Sequence, residues 1–387
     1  MIERRTVFKV ALATGASVLV AACSSDGGGG NGEPGKPAPE QPKAKIAAEP
    51  AVNAKDVPVL QPVTVRVAEG TLTDVKVTNP EGEAVPGDFN PERTMWTSNK
   101  PLGYGKTYTY AAKASGSDNK EALLNGTFST LKPAKEIRAT LNPADNAEVG
   151  VAMPISVKFA ADVTDKAAAQ KALEVKTSKN VEGAWAWLSP RQADWRPKEF
   201  WPANTEVNVT AKLYGVPLGG GAYGKADVTT KFKIGRNQVV KINTPDHVMK
   251  VYRDGKEVAS YPSSNGKDGD PNLNTPNGTV IVMSKEPVGD FSNPRYGYTN
   301  VKKKWAVRIS NHGEFIHENE ENHGNIGKAN TSHGCVNLFE GDAKKYFDSC
   351  LIGDPVVITG SKADFPTTSD VMDWLLDWKT WQSKSAI

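Results

Sequence analysis

The chain has 387 residues, of which 38% are hydrophobic and 24% charged, and its formal net charge is +3. So small a positive excess gives no electrostatic basis for binding nucleic acid, and three cysteines are too few for a disulfide-stapled fold. The length accommodates roughly two to four domains.

The first segment has the layout of an export signal. Arg4-Arg5 precedes an apolar run from Val10 to Val20 that is too short to span a bilayer as a mature helix. This layout predicts a signal peptide over residues 1–22. Because Leu19-Val20-Ala21-Ala22-Cys23 is similar to a bacterial lipobox, we expect Cys23 to carry lipid. An uncleaved anchor and a plain secreted protein are the alternatives, and the paired arginines leave Sec and Tat export both open.

Residues 23–45 are predicted to be a disordered linker. Gly27–Gly30 is a run of glycines, and a stretch rich in proline, glutamate, lysine and alanine follows it. Such a sequence buries too little apolar surface to fold and behaves as a flexible, extended chain. We therefore expect a protein anchored in the cell membrane through Cys23 and facing the cell wall.

The next two segments, residues 46–133 and 134–236, are each predicted to be a β-sandwich of immunoglobulin-like type. Alternating apolar and polar residues, as in Ile155–Phe159, indicate half-buried strands separated by glycine and proline turns. A tryptophan, a proline turn and a closing strand recur at a spacing of about 100 residues, which indicates an internal repeat. Asp165–Leu173 is helix-prone and predicts a short helix in the second unit.

Four tryptophans of the second unit admit two interpretations, a carbohydrate-binding platform or core packing, and we favour core packing. They are Trp185, Trp187, Trp195 and Trp201.

Residues 237–360 are predicted to be a β-rich domain. Lys250–Ala259 predicts a hairpin with Asp254-Gly255 as its turn, a helix is expected from Glu340 to Phe347, and a strand over Asp354–Thr359. Residues 361–387 are predicted to form a helical tail docked on this domain, since Val371–Trp378 has helical spacing.

One window of the predicted β-rich domain places a thiol among imidazoles. His317 follows a strand-like run, and Ser332-His333-Gly334-Cys335 lies a short loop away. A thiol needs a base or a positive neighbour to become a good nucleophile near pH 7. If Gly334 continues a strand, His333 and Cys335 share one face, and a facing strand can bring His317 to the thiol.

A zinc site is the main alternative interpretation of this window, because histidine and cysteine are preferred ligands of zinc. No pair here has the repeated two-to-four-residue ligand spacing of zinc ribbons, and His333-x-Cys335 is a poor chelate on one strand. We therefore predict no metal. Cys350 lies near a predicted helix end and is expected to be packed, not disulfide-bonded.

The window resembles the catalytic signature of the L,D-transpeptidases, cysteine enzymes that cross-link bacterial peptidoglycan. The family pattern is a histidine after an apolar run, a loop rich in glycine and asparagine, and then Ser/Thr-His-Gly-Cys, a hydrophobic residue, and Asn or Arg. Thr275–Val282 also looks like the family, and the resemblance covers roughly Asn237 to Trp381. Glu318–Glu321 departs from the Ser-Ala-Pro-Trp-like run that mycobacterial members commonly have after the base.

The resemblance implies a role for each residue that matches the motif. Cys335 is the nucleophile and His317 the general base, with Ser332, His333 and Gly334 completing the catalytic motif. Backbone N–H groups around the cysteine hold the oxyanion with a tyrosine hydroxyl, for which Tyr298 is best placed and Tyr296 is the alternative. Gly313, Phe315, Asn337 and Tyr298 are the expected substrate-binding residues.

The implied function is peptidoglycan cross-linking without a cofactor. Cys335 attacks the third residue of a stem tetrapeptide, releases D-Ala, and passes the acyl group to a second stem as a 3→3 cross-link; carbapenem β-lactams are expected to acylate the same thiol. The alternatives are an L,D-carboxypeptidase that uses water as acceptor and a non-catalytic wall-binding or assembly lipoprotein. The fold class expected is mainly β, two immunoglobulin-like sandwiches followed by an L,D-transpeptidase catalytic domain.

Overall fold

The computed structural model describes residues 41–293, 297–367 and 373–387. The predicted signal peptide, Cys23 and most of the predicted linker lie outside the described residues. No helix within the described ranges is long and apolar enough to cross a membrane.

The first sandwich contains two antiparallel sheets around one core. Its strands are β1 (Lys45–Glu49), β2 (Thr64–Ala68), β3 (Gly70–Thr78), β4 (Gly87–Phe89), β5 (Met95–Ser98), β6 (Thr107–Gly116) and β7 (Glu121–Ser129). The sheets have the orders β1-β2-β5-β4 and β3-β6-β7. Strict alternation of buried and exposed residues along most of β6 places Tyr108 and Tyr110 in a core with Trp96 and Phe128. Ala44 is buried in this core and β1 begins at Lys45, so these two residues of the predicted linker pack with the sandwich.

The second sandwich repeats the architecture with more strands. They are β8 (Lys135–Ile137), β9 (Ala139–Asn142), β10 (Glu148–Val149), β11 (Ile155–Phe159), β12 (Leu173–Thr177), β13 (Gly183–Ser189), β14 (Gln192–Pro197), β15 (Glu206–Ala211), β16 (Pro217–Gly219), β17 (Ala222–Gly224) and β18 (Val228–Ile234). The main sheets are β10-β18-β15-β12 and β13-β14-β11-β9, with a small sheet β16-β17-β8. The predicted helix is present as α1 (Lys166–Lys171), whose first turn is capped by the Asp165 carboxylate.

The four tryptophans of the second sandwich are all buried in its core, each with at most 8% of its surface exposed. Trp195 and Trp201 lie with ring centroids 5.0 Å apart. Core packing is therefore the correct interpretation of these residues, since none presents the open ring face that a sugar requires.

The third unit packs a five-stranded sheet and a four-stranded sheet around a shared core. Its elements are β19 (Gln238–Asn243), β20 (Val248–Arg253), β21 (Lys256–Pro262), β22 (Gly278–Ile281), β23 (Ser284–Asn293), β24 (Tyr298–Arg308), β25 (Phe315–Glu318), β26 (Val336–Leu338), α2 (Glu340–Ser349) and β27 (Pro355–Thr359). The sheet orders are β21-β20-β19-β27-β22 and β23-β24-β25-β26. The predicted hairpin, helix and final strand correspond to β20–β21, α2 and β27, and Cys350 is buried just after α2.

The helix of the C-terminal tail lies later in the chain than predicted, and the tail contacts both the second sandwich and the third unit. The described part of the tail contains α3 (Trp378–Gln382), which begins after the Asp377 cap, whereas residues 373–375 form a turn and Leu376 a bend. Val371 and Met372 lie outside the described residues. The C-terminal part of the tail packs on the second sandwich: the Trp381 indole donates to the Ala184 carbonyl at 2.9 Å, and the backbone N–H of Trp187 donates to the Lys384 carbonyl at 3.0 Å. The first part of the tail packs on the third unit, where Phe365 is buried in the core and Leu375 packs against that core. The Phe365 N–H also donates to the Asn277 carbonyl at 3.0 Å.

Candidate active site

Two neighbouring strands carry the predicted nucleophile and base. β25 pairs in parallel with β26, with His317 opposite Asn337, and Cys335 immediately precedes β26. A parallel pair brings equivalent ends of the two strands to one edge of the sheet. Cys335 and His317 consequently line the same cavity, whose volume is about 350 Å³.

The His317 imidazole is buried, and its tautomer is set by the backbone. Nδ1 lies 2.5 Å from the Glu318 carbonyl oxygen, and a carbonyl oxygen only accepts hydrogen bonds. Nδ1 therefore carries the proton, which leaves Nε2 free to accept one. The ring also packs on Phe291, with centroids 4.9 Å apart. Burial lowers the pKa of His317 to about 4, so the imidazole is neutral at pH 7.

The Cys335 thiol is half-buried. Its Sγ donates to the Gly313 carbonyl oxygen at 3.6 Å. Burial raises the pKa of Cys335 to about 12, although a backbone hydrogen bond from Phe315 acts in the opposite direction. At neutral pH the site thus holds a neutral thiol and a neutral imidazole, not a preformed thiolate–imidazolium pair.

The Ser332–Cys335 segment is a tight turn and not a strand, so one expectation from the sequence is wrong. Gly334 has φ of +111°, a conformation that side-chain-bearing residues rarely adopt, and β26 begins only at Val336. His333 is exposed whereas Cys335 is half-buried, so the two do not share one strand face. The Ser332 hydroxyl holds the turn, since it accepts from the Gly334 N–H at 3.2 Å and donates to the Cys335 carbonyl at 2.6 Å.

Asn337 presents an unpaired amide to the cavity. It is 1% exposed and lines the cavity, and neither atom of its side-chain amide has a hydrogen-bond partner in the described part of the chain. Buried polar groups in folded proteins are nearly always paired. An amide left in this state is suited to bind the main chain of a substrate peptide.

The other predicted substrate-binding residues lie beside the thiol or at the start of β24. The Gly313 carbonyl contacts Cys335, and the Phe315 ring packs on Phe291 with centroids 4.5 Å apart. Tyr298 begins β24, but its side chain, like all of Tyr296, lies outside what the structure describes.

The acidic run after His317 has two structural roles. The Glu318 carboxylate is buried and accepts from the Lys304 and Glu320 N–H groups at 3.0 and 3.2 Å. The Glu321 carboxylate is exposed at the cavity rim, 3.3 Å from Lys303 Nζ. Lys303, which the sequence reasoning missed, is a cation in the cavity wall; its position in an alternating strand gave no signal of that role. Within the described ranges, no three histidine, cysteine or acidic side chains are placed to hold a metal.

Comparison with known proteins decides the family. The family model of the L,D-transpeptidase catalytic domain matches residues 237–358. The model of a bacterial Ig domain matches residues 54–217, which extend across both sandwiches. The chain is 42% identical to L,D-transpeptidase 5 of Mycobacterium tuberculosis (strain ATCC 25618 / H37Rv) over 352 residues, covering 89% of this chain and 78% of that protein. The chain belongs to the L,D-transpeptidase family.

Other members of the L,D-transpeptidase family show the same relationship. L,D-transpeptidase 2 of Mycobacterium tuberculosis (strain CDC 1551 / Oshkosh) is 35% identical over 88% of this chain and 85% of its own length. A solved structure of an LD transpeptidase in complex with imipenem superposes with a TM-score of 0.50 at 29% identity, covering 59% of this chain and all of that one. The predicted fold class, immunoglobulin-like sandwiches before an L,D-transpeptidase domain, is confirmed. The domain boundaries and the role of each site residue remain predictions.

Proposed function

We propose that this L,D-transpeptidase forms 3→3 cross-links in peptidoglycan, with Cys335 as nucleophile and His317 as general base. The observation that carries the proposal is the pairing of a half-buried thiol with a neutral imidazole whose Nε2 is unprotonated, both lining one cavity. The identity to two mycobacterial L,D-transpeptidases over most of the chain supports the same conclusion.

Acylation begins from the neutral pair. The Cys335 sulfur attacks the carbonyl carbon of the third stem residue while the thiol proton moves to His317 Nε2. Electrons of the carbonyl double bond shift to its oxygen, and backbone N–H donors stabilise the resulting oxyanion. The tetrahedral intermediate then expels the D-Ala amine, which takes the proton from His317, and a thioester remains on Cys335.

Transfer reverses the chemistry with a second stem. The acceptor amine attacks the thioester carbonyl and gives a proton to His317, and the departing Cys335 sulfur recovers a proton from the imidazolium. No redox change occurs and no cofactor is consumed. Asn337 is proposed to bind the main chain of the stem, and Tyr298 to assist the oxyanion.

Incubation of the purified protein with disaccharide-tetrapeptide, followed by mass spectrometry, tests this function. We expect a cross-linked dimer together with one released D-Ala per cross-link. Release of D-Ala with only monomeric tripeptide would show an L,D-carboxypeptidase, and no reaction with intact Cys335 would favour a wall-binding lipoprotein.

We also propose that carbapenems acylate Cys335. The support is the likeness to an LD transpeptidase that has been solved in complex with imipenem. Ring opening supplies the acyl group and creates no separate leaving amine, so the adduct retains the full mass of the drug.

We further propose that the mature protein is a lipoprotein of the cell membrane, held through Cys23. The support is sequence alone: Leu19-Val20-Ala21-Ala22-Cys23 ends an export-type apolar run, and a glycine- and proline-rich tether follows. Such a tether would let the catalytic domain reach wall polymer above the membrane.

A further inference from the structure

A buried hydroxyl outside the catalytic motif holds the peptide unit next to the nucleophile. Thr275 is 1% exposed, and its Oγ1 accepts from the Gly266 N–H at 2.8 Å and contacts the Gly334 carbonyl oxygen at 2.8 Å. The Gly266 N–H occupies an acceptor site of the hydroxyl, and a carbonyl cannot donate. The single hydroxyl proton of Thr275 is therefore directed to Gly334.

That hydrogen bond fixes the direction of the Cys335 N–H. The Gly334 carbonyl and the Cys335 N–H belong to one planar trans peptide unit, in which the two groups point in opposite directions. With the carbonyl held by Thr275, the N–H is directed away from Thr275. Among the residues that the structure describes, none accepts a hydrogen bond from this N–H, although the preceding Gly334 N–H is bonded to Ser332.

The segment that leads to Thr275 is itself bonded to the nucleophile turn, so the hydroxyl acts from a fixed position. The Ser332 N–H donates to the Asn265 carbonyl at 3.0 Å, and the Lys267 N–H donates to the Ser332 carbonyl at 3.0 Å. The Ser332 hydroxyl fixes the next peptide unit through the Cys335 carbonyl. Both peptide units that flank the Cys335 Cα are thus held by buried hydroxyls.

We propose that Thr275 is a positioning residue for catalysis, which orients the Cys335 N–H as a hydrogen-bond donor to the oxyanion of the acyl donor. The inference rests on the proposed function. As the sulfur–carbon bond forms, the carbonyl π electrons move to oxygen, the thiol proton moves to His317, and the oriented N–H binds the new negative charge. A donor that is already oriented needs no reorganisation during the reaction.

Two reactions of the same thiol separate this role from a purely structural one. Alkylation by iodoacetamide displaces iodide at a saturated carbon and forms no oxyanion, whereas acylation by a carbapenem does. Thr275→Val removes the hydroxyl at nearly constant shape, and Thr275→Ser restores it. Thr244→Val is the matched control, because Thr244 is 3% exposed in the same domain and its hydroxyl has no partner within the described residues.

We expect Thr275→Val to slow acylation by about tenfold or more, since loss of an oxyanion donor itself costs about 10²–10³ in rate, and to leave alkylation within about twofold of wild type. Thr275→Ser and Thr244→Val should acylate at near wild-type rates. Unchanged acylation in Thr275→Val, or an equal loss in both reactions, would overturn the proposal. Should the valine variant fail to fold, Thr275→Ala repeats the comparison. A wild-type protein that cross-links no stems and takes up no carbapenem overturns the proposed function, and this inference with it.

Discussion

At the scale of single residues, the thiol and the imidazole of the proposed catalytic pair are both uncharged at neutral pH. Burial lowers the pKa of His317 to about 4 and raises that of Cys335 to about 12, so both groups rest in their neutral forms. The backbone carbonyl of Glu318 selects the tautomer that makes Nε2 the acceptor. The proton therefore moves during attack, and the base must stay in place for any reaction to occur.

Replacing His317 by glutamine should lower transpeptidation by about 10²–10⁴-fold, the usual range for loss of a general base. The amide keeps polar contacts near Glu318 but cannot take the thiol proton. Steady-state rates of dimer formation measure the effect. Because the two groups act as one unit, the double variant with Cys335→Ala should be no slower than Cys335→Ala alone; a much slower double variant would show that they act separately.

The pH dependence of thiol alkylation tests the neutral pair directly. With the pKa of Cys335 raised to about 12, the iodoacetamide rate should continue to increase above pH 9, whereas an ordinary cysteine with a pKa near 8.5 levels off there. Intact-mass kinetics over a pH series provide the measurement. A plateau already reached near pH 7 would indicate a preformed thiolate and contradict the account.

The sequence was sufficient to predict that Cys335 and His317 lie near one another, as their shared cavity shows, because motif and spacing are local in the chain. It was insufficient for the turn geometry, since the residue pattern does not reveal that Gly334 has φ of +111°. His333 and Cys335 consequently do not share a strand face, although both line the cavity. Thr275 could not be assigned a role either. Its contact with Gly334 depends on how two distant loops fold together.

At the scale of elements, the C-terminal tail shows that contacts with a residue far away in the chain can outweigh the helix that local sequence spacing predicts. Trp374 and Trp378 suggested one helix, but the buried Arg196 guanidinium of β14 lies 4.6 Å and 5.2 Å from their ring centroids and 4.8 Å from that of Trp381. Arg196 also donates to the Leu376 carbonyl at 2.9 Å. Cation–π contacts of this kind are stabilising when desolvated, and they attach the tail to the second sandwich.

Beside this cluster, two buried carboxyl groups meet between β14 and the tail. Asp194 and Asp373 are 2% and 4% exposed and lie close enough to share a hydrogen bond when one is protonated. Burial raises the pKa of both groups. Because the pKa of each carboxyl group is higher in the folded than in the unfolded protein, the protonated pair stabilises the fold fully below about pH 3.8, the unfolded value. That stabilisation is lost as the pH rises through the folded-state pKa.

Asp373→Asn should therefore stabilise the protein more at pH 8 than at pH 4, by about 1–2 kcal/mol, because an amide donates to Asp194 without needing a proton. Denaturant unfolding at the two pH values measures the difference. Gln382→Ala, which alters an exposed side chain of the tail, provides a control. Equal effects of Asp373→Asn at both pH values would argue against a shared proton.

At the scale of the whole molecule, hydrogen bonds and an ion pair join the three β-rich units. Tyr104 of the first sandwich donates to the Gly224 carbonyl of the second at 2.8 Å. The Arg236 guanidinium donates two hydrogen bonds, of 3.0 and 2.7 Å, to the buried carboxylate of Asp354. This bidentate ion pair lies where the second sandwich meets the catalytic domain. The three β-rich units could be predicted from alternation and turn residues, but these junctions could not, since each joins residues far apart in the chain.

Cys23→Ala should release the protein from the membrane without changing the activity of the purified protein. The proposed lipid sets location only, and the catalytic residues lie in a separate domain. One acyl chain holds a protein only marginally, so stable anchoring would require two or more chains. Membrane fractionation with a labelled fatty acid checks this. A variant that stays in the membrane pellet, or a wild type without label, would disprove the lipoprotein proposal.

The central claim is that the Cys335 sulfur carries the acyl group between stems. The most direct measurement is rapid acid quenching of the protein with excess tetrapeptide donor, followed by intact-mass and peptide-mapping mass spectrometry. We predict an adduct on Cys335 alone, equal in mass to the donor minus D-Ala, that disappears when an acceptor stem is added and is absent from Cys335→Ala. Cross-linked dimer made by Cys335→Ala at the wild-type rate, or an adduct on another residue, would contradict the account.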